Sequence, residues 1–285
     1  MEPASPQAKP VPSELLPLHG VSVAGLETAI EVPSMRLVLD MGRCTLSAVN
    51  QKWVLVSHGH LDHIGAIAQH AARRALMKMQ PGVYLVPHSV HALVEQLFNA
   101  AGELDGHAIP RTVVPLEPGQ EFALSGGRFV RPFATFHRVP SQGYTIWERR
   151  HRLRAEFRGV PGAELGRLRA QGVAIDEPHD VAVLAFTGDT RVEVLERTPE
   201  LANVETLIME TSFVDERVSV EEARAMGHIH LDEVVERHQL LESRDVVFTH
   251  FSARYGRSDL EQSFARLPDE LRARVRPFPD HPGAS

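Results

Sequence analysis

Trp53-Val54-Leu55-Val56-Ser57-His58-Gly59-His60-Leu61-Asp62-His63 is an apolar run that breaks into three imidazoles and a carboxylate within six residues. Strand side chains alternate faces, so His58 and His60 can point the same way as a strand opens into a loop. Asp62 and His63 then follow on the turn that starts a helix. Two ligand pairs from one loop can serve two neighbouring metals. Imidazole and carboxylate suit zinc, manganese or iron(II), and a catalytic site keeps one coordination position open for water. A His-rich surface turn is the plain alternative, and the strand-loop-helix context argues against it.

Outward from this motif, apolar runs that read as strands recur at residues 37–39, 83–86, 181–186, 206–209 and 246–248. Helical periodicity spans residues 63–79, 89–100, 230–241 and 258–267, so the pattern is layered α/β. The remaining chemistry falls at strand ends. His137 follows Phe133-Ala134-Thr135-Phe136, Asp189 follows residues 181–186 through Thr187-Gly188, Glu210 caps Leu207-Ile208-Met209, and His250 caps Val246-Val247-Phe248-Thr249. Ends supplied by separate strands of one scaffold are where an α/β protein assembles a site.

The chain has 285 residues, 43% of them hydrophobic and 24% charged, which is ordinary globular composition with no apolar run long enough to cross a bilayer. Residues 1–13 read as a disordered Pro-rich tail without the basic start and apolar stretch of a secretory signal, and residues 14–285 as a single domain. Cys44, the single cysteine, forms no intrachain disulfide, which fits a cytoplasmic protein. A net charge of −7 excludes an indiscriminate polyanion binder, so any RNA contact must be local.

With His58, His60, Asp62, His63, His137, Asp189 and His250 in this order, the chain resembles the metallo-β-lactamase superfamily, whose fold is an αββα sandwich with the metal site at one edge. It looks most like the ribonuclease Z branch, the endonucleases that trim the 3′ end of precursor transfer RNA. Four stretches carry the likeness: Val139-Pro140-Ser141-Gln142-Gly143-Tyr144, Thr187-Gly188-Asp189-Thr190-Arg191, Glu210-Thr211-Ser212-Phe213 with Gly227-His228, and Thr249-His250-Phe251-Ser252-Ala253-Arg254-Tyr255. The resemblance implies two divalent ions, zinc first, with manganese or iron(II) as alternatives. It implies that His58, His60 and His137 hold one, that Asp62, His63 and His250 hold the other, and that Asp189 bridges them. Cleavage of a phosphodiester by a metal-bridging hydroxide follows, with Glu210 and His228 as a proton-donating pair. A homodimer is also implied.

The departures concern substrate rather than metal. The family's Pro-x-Lys-x-Arg-Asn loop is missing where Ala24-Gly25-Leu26-Glu27-Thr28 runs straight on, the RNA-gripping arm is shortened to about residues 148–180, and Ile229-His230 replaces the usual small hydroxyl residues. Remote grip on transfer RNA is therefore expected to be poor. Hydrolysis of a small ester, lactone, cyclic phosphodiester or aryl halide stands as the alternative, and a metal-bound RNA-binding protein without turnover as a second.

Individual residues carry competing readings. Asp40 ends the run at residues 37–39 and is expected to orient a ligating imidazole, a simple turn aspartate being the rival. Asp189 could merely cap a helix beginning near Val192. Glu210, an acid ending an apolar strand, is costly unless paired, and His228 would offset that cost. Arg149, Arg150, Arg152 and Arg154, in a stretch continuing to Arg169, are candidates for phosphate contact from a loop. His230 is assigned no role, although it stands close enough to His228 in sequence to contact substrate.

Overall fold

A strand with no polar face has to be covered on both sides. The computed structural model describes residues 16–278, so the tail expected at residues 1–13 lies outside it. Its strands are β1 (His19–Ala24), β2 (Glu27–Val32), β3 (Leu37–Leu39), β4 (Trp53–Leu55), β5 (Gly82–Pro87), β6 (Arg111–Leu116), β7 (Phe122–Ala123), β8 (Arg128–Ala134), β9 (Gln142–Leu153), β10 (Asp176–Phe186), β11 (Thr206–Glu210), β12 (Asp245–Thr249), β13 (Phe251–Ser252) and β14 (Val275–Pro277). They form two seven-stranded mixed sheets, in the orders β13-β1-β2-β3-β4-β5-β6 and β14-β12-β11-β10-β9-β8-β7.

Alternation along each strand sorts the core into three layers. Leu37, Leu39, Leu55 and Leu85 of the first sheet pack with Val130, Ile146, Leu184, Ile208 and Val247 of the second. Val38, Val54, Tyr84 and Val86 pack the opposite way, with Ile67, Ala71, Val94 and Phe98 of helices Ile67–Leu76 and His91–Asp105. On the outer side of the second sheet, Leu207, Met209, Val246 and Phe248 pack with Leu231, Val234 and Leu260 of helices Leu231–Glu236 and Arg257–Phe264. The result is the expected αββα sandwich.

β3 and β4 run parallel, as do β10, β11 and β12, so their carboxyl ends collect at one edge of the sandwich. There Gln142 N–H donates to Ser57 O at 3.0 Å and the Tyr144 hydroxyl to Val56 O at 2.7 Å, tying the sheets together. The helix expected over residues 63–79 is instead two, Leu61–Ile64 and Ile67–Leu76. Met41 N–H donates to His63 O and Ala66 N–H to Met41 O, so groups that would continue one helix are drawn to the segment after β3. The helix expected over residues 230–241 likewise stops at Glu236 and is followed by the short turn His238–Leu240.

β12 ends at Thr249 in one sheet, and β13 starts at Phe251 in the other, beside β1. The one residue between them, His250, has φ 61, and its N–H donates to Ser22 Oγ at 3.0 Å. Residues 148–180 occupy the outer part of the β9–β10 ribbon, with helix Gly162–Ala170 at its tip. No described helix is long and apolar enough to cross a membrane.

Candidate metal centre

The loop after β4 carries His58, buried, and His60 and Asp62, which stay partly open, with His63 buried on the first helical turn. His58 Nε2 lies 2.9 Å from His60 Nδ1, and His137 Nε2, arriving from beyond β8, lies 3.4 Å from the same atom. Opposite them, His63 Nε2 stands 3.3 Å from His250 Nε2 and 3.3 Å from Asp62 Oδ2. Asp189, beyond the end of β10, sits between the two sets. Its Oδ1 is 3.4 Å from His250 Nε2, and its Oδ2 is 3.5 Å from His63 Nε2 and 3.7 Å from His58 Nε2. Asp189 caps no helix, because the nearest one is Val194–Arg197 with Glu193 at its start.

The far ends of the rings fix their tautomers. Asp40, in a left-handed conformation at φ 58, accepts from Ser57 N–H at 2.6 Å, Ser57 Oγ–H at 2.8 Å and His63 Nδ1–H at 2.7 Å. Ser57 Oγ, its proton given to Asp40, accepts from His58 Nδ1–H at 2.9 Å. His137 Nδ1–H donates to Gly227 O at 2.9 Å. Ser212 Oγ donates to Glu210 Oε2 at 2.6 Å, so it must accept from His250 Nδ1–H at 2.9 Å. Four Nε2 atoms are thereby aimed inward.

That convergence tests whether the residues fit a metal. Burial holds the rings of His58, His60 and His137 below the ordinary histidine range, so they are neutral. Of the three nitrogens crowded at 2.9 and 3.4 Å, those of His58 and His137 carry lone pairs that converge beside His60 Nδ1, the donor arrangement a cation would need. Burial opposes charge on His63, but Asp189 and Asp40 carry its ring well above the usual range. Against burial, hydrogen bonds from His250 and His63 hold Asp62 well below the usual carboxylate range, and the charges of His250 and His63 do the same for Asp189. Ionised Asp62 and Asp189 beside neutral imidazoles make a donor set that fits a divalent metal.

Glu210 Oε1 accepts from Thr190 N–H at 2.7 Å and lies 3.0 Å from His228 Nδ1. Burial works against a charged His228, yet Glu210 raises its ring to about 9. His228 Nδ1 is 3.9 Å from Asp189 Oδ2, so the pair borders the candidate metal-binding residues.

A family model described as a beta-lactamase superfamily domain matches residues 43–251. tRNase Z TRZ1 of Arabidopsis thaliana is 38% identical over 261 residues, covering 91% of this chain and 93% of that one. The chain belongs to the metallo-β-lactamase superfamily, in its ribonuclease Z branch. The Arabidopsis chloroplastic tRNase Z TRZ2 is 34% identical over 277 residues, 96% of this chain and 78% of that protein. The short form of human tRNase Z shares the fold, with a TM-score of 0.60 at 15% identity over 92% of this chain and 95% of that one.

Two expectations about this ribonuclease Z-like hydrolase need correction. Arg149, Arg150 and Arg152 lie on β9 rather than on a loop, and they do not form an unopposed cationic cluster. Arg149 pairs with Asp180, Arg150 with Glu148 and Glu205, Arg152 with Glu177, and Arg154 approaches Glu156 at 3.9 Å. His230 is buried and caps helix Leu231–Glu236, its Nδ1 accepting from Asp232 N–H and its Nε2 donating to Asp215 O, so both ring nitrogens are engaged away from substrate. Sequence reasoning had passed over Ser57, Ser212 and the Gly227 carbonyl, which orient His58, His250 and His137. Ser57 and Ser212 stand one and two residues from a recognised site residue, which was the available signal.

Proposed function

We propose that this protein is a binuclear, zinc-loaded endoribonuclease that removes the 3′ trailer of precursor transfer RNA. The observation that carries the reading is the convergence of donors in two sets flanking Asp189, in a chain matching a tRNase Z over 93% of that relative's length. His58, His60 and His137 would hold one ion and Asp62, His63 and His250 the other, with Asp189 bridging. Such ions, when bound, polarise a phosphoryl oxygen and make water nucleophilic at neutral pH. Glu210 holds His228 by Nδ1, leaving Nε2 as the ring's free donor. As the phosphorus–oxygen bond breaks, that proton passes to the departing alkoxide, and Glu210 stabilises the ring in its charged form beforehand.

The weak remote grip expected from the sequence argues the other way. What outweighs it is that the Arabidopsis relative carries no more chain than this one with which to hold its substrate. Hydrolysis of a small non-RNA substrate remains the second reading, favoured by the pairing of the β9 arginines with carboxylates. The zinc-reconstituted protein should cut precursor transfer RNA once, at the trailer, at physiological salt. Turnover of bis(p-nitrophenyl) phosphate with the precursor left intact would move the protein to that second reading. Exposed Leu76, Met77, Leu93 and Leu104 along two outer helices support a homodimer, and the lone cysteine supports a cytoplasmic setting.

A further inference from the structure

Arg138 directly follows His137 and is exposed at the mouth of the metal centre. Its stem lies across Gly227, where a methyl group would come within 3.2 Å of Arg138 Cγ and 2.8 Å of His137 Nδ1. Gly227 is left-handed at φ +83, so the absence of a side chain serves both the turn and this close approach. The stem thus runs beside the residue that precedes His228. Its charge is felt by His228 and by His60, both of which stay partly open to solvent.

Among the described residues no carboxylate stands within ion-pair distance of this guanidinium, whereas Arg149, Arg152 and Arg169 of the β9–β10 ribbon each have one. Beside a centre whose donors would hold two divalent ions, a guanidinium without a carboxylate partner is repelled by those ions until an anion arrives between them. A strand of RNA brings anions at regular spacing, and the one on the metal ligands is already accounted for. The next is not.

Resting on the phosphodiesterase reading of the centre, we propose that Arg138 holds the phosphate adjacent along the strand to the scissile one, on the leaving-group side. His228 marks that side, because it supplies the proton to the departing oxygen. Arginine suits the task, since its planar fork grips a phosphate through two parallel hydrogen bonds. Arg138 is a positioning residue for the substrate; it does not touch the reacting bond.

The test is calorimetric binding of adenosine 3′,5′-bisphosphate, adenosine 3′-monophosphate and adenosine 5′-monophosphate to the metal-loaded protein. Wild type should bind the bisphosphate about tenfold more tightly than either monophosphate, the scale of one hydrogen-bonded charge contact. Arg138→Ala should bind all three alike, Arg138→Lys should keep part of the preference, and Arg167→Ala, which removes the same charge from the ribbon tip, should keep all of it. Absence of the preference in wild type, its survival in Arg138→Ala, or an equal loss on the monophosphates would each overturn the proposal. Turnover of precursor transfer RNA is read separately. If the precursor stays intact while Arg138→Ala abolishes the preference, the functional reading fails and the role of Arg138 stands.

Discussion

His228 Nδ1 lies 3.0 Å from Glu210 Oε1, on a carboxylate held from its other sides by Thr190 N–H, Ser212 Oγ–H and Ile229 N–H. An anion fixed by so many donors cannot swing away, so the imidazole it supports has one orientation. Replacing His228 by Ala should lower the rate about 100- to 10,000-fold on diesters with poor alkoxide leaving groups and far less on p-nitrophenyl esters, which depart unprotonated. Steady-state rates on the two substrate classes check this, and equal losses would make the ring structural.

Elemental analysis of the reconstituted protein should approach about two metals per chain, as two sets of donors require. Asp62→Ala should drop this towards one and abolish turnover. The melting temperature should change little, since Asp62 is partly open and its contact outside the centre is the Gly25 N–H. Activity within about tenfold of wild type would sink the two-ion reading.

Asp40 is fully buried and serves three donors at once. Asp40→Asn keeps the shape but replaces one acceptor oxygen by a donor, so His63 or Ser57 must turn. Metal affinity should fall about 10- to 100-fold, as measured by chelator competition. Retention of both metals at wild-type affinity would leave Asp40 a turn residue.

Neutralising Arg149, Arg150, Arg152 and Arg154 together should leave turnover of a small diester nearly unchanged. It should also reduce RNA affinity and flatten its dependence on salt. Because exposed ion pairs are weak and open readily, these arginines can trade carboxylates for phosphates. An unchanged salt slope would mean that their carboxylates keep them.

His70 is buried between helix and sheet, its Nδ1 accepting from the Tyr84 hydroxyl at 2.7 Å and its Nε2–H donating to Ala48 O at 3.2 Å. Burial lowers its pKa from 6.5 to about 4. The unfolded chain therefore takes up a proton below 6.5 that the folded one refuses, and stability is lost as pH falls from there towards 4, by about 3 kcal/mol in all. His70→Gln should be less stable than wild type at pH 7, and the gap should narrow by pH 5. Parallel denaturation curves at both values check this.

The metal motif and the strand-end residues were legible because each belongs to a short continuous stretch. The hairpin of β1 and β2 was not read as two strands, since Glu27, Thr28 and Glu31 interrupt its apolar pattern. The partners of the β9 arginines were invisible for another reason. Arg149 and Arg152 face Asp180 and Glu177 directly across the ribbon, and that register is fixed by a pairing 25 to 31 residues apart. His230, given no role from the sequence, is the N-cap of helix Leu231–Glu236, its ring turned to Asp232 N–H and Asp215 O while the His228 ring turns to Glu210.

His250 is the single residue at which the chain leaves one sheet for the other, and its ring closes the metal centre. The motif residues at 58–63 and this last ligand, about 190 residues later, come from opposite halves of the sandwich. A nascent chain that has not yet added β12 and β13 therefore lacks the third candidate donor of the Asp62, His63 and His250 set, and filling of that second site must wait until β12 docks and the chain crosses over. Occupancy of that second site reports that the whole sandwich has closed, so a product truncated before β12 would hold fewer than the full complement of ions.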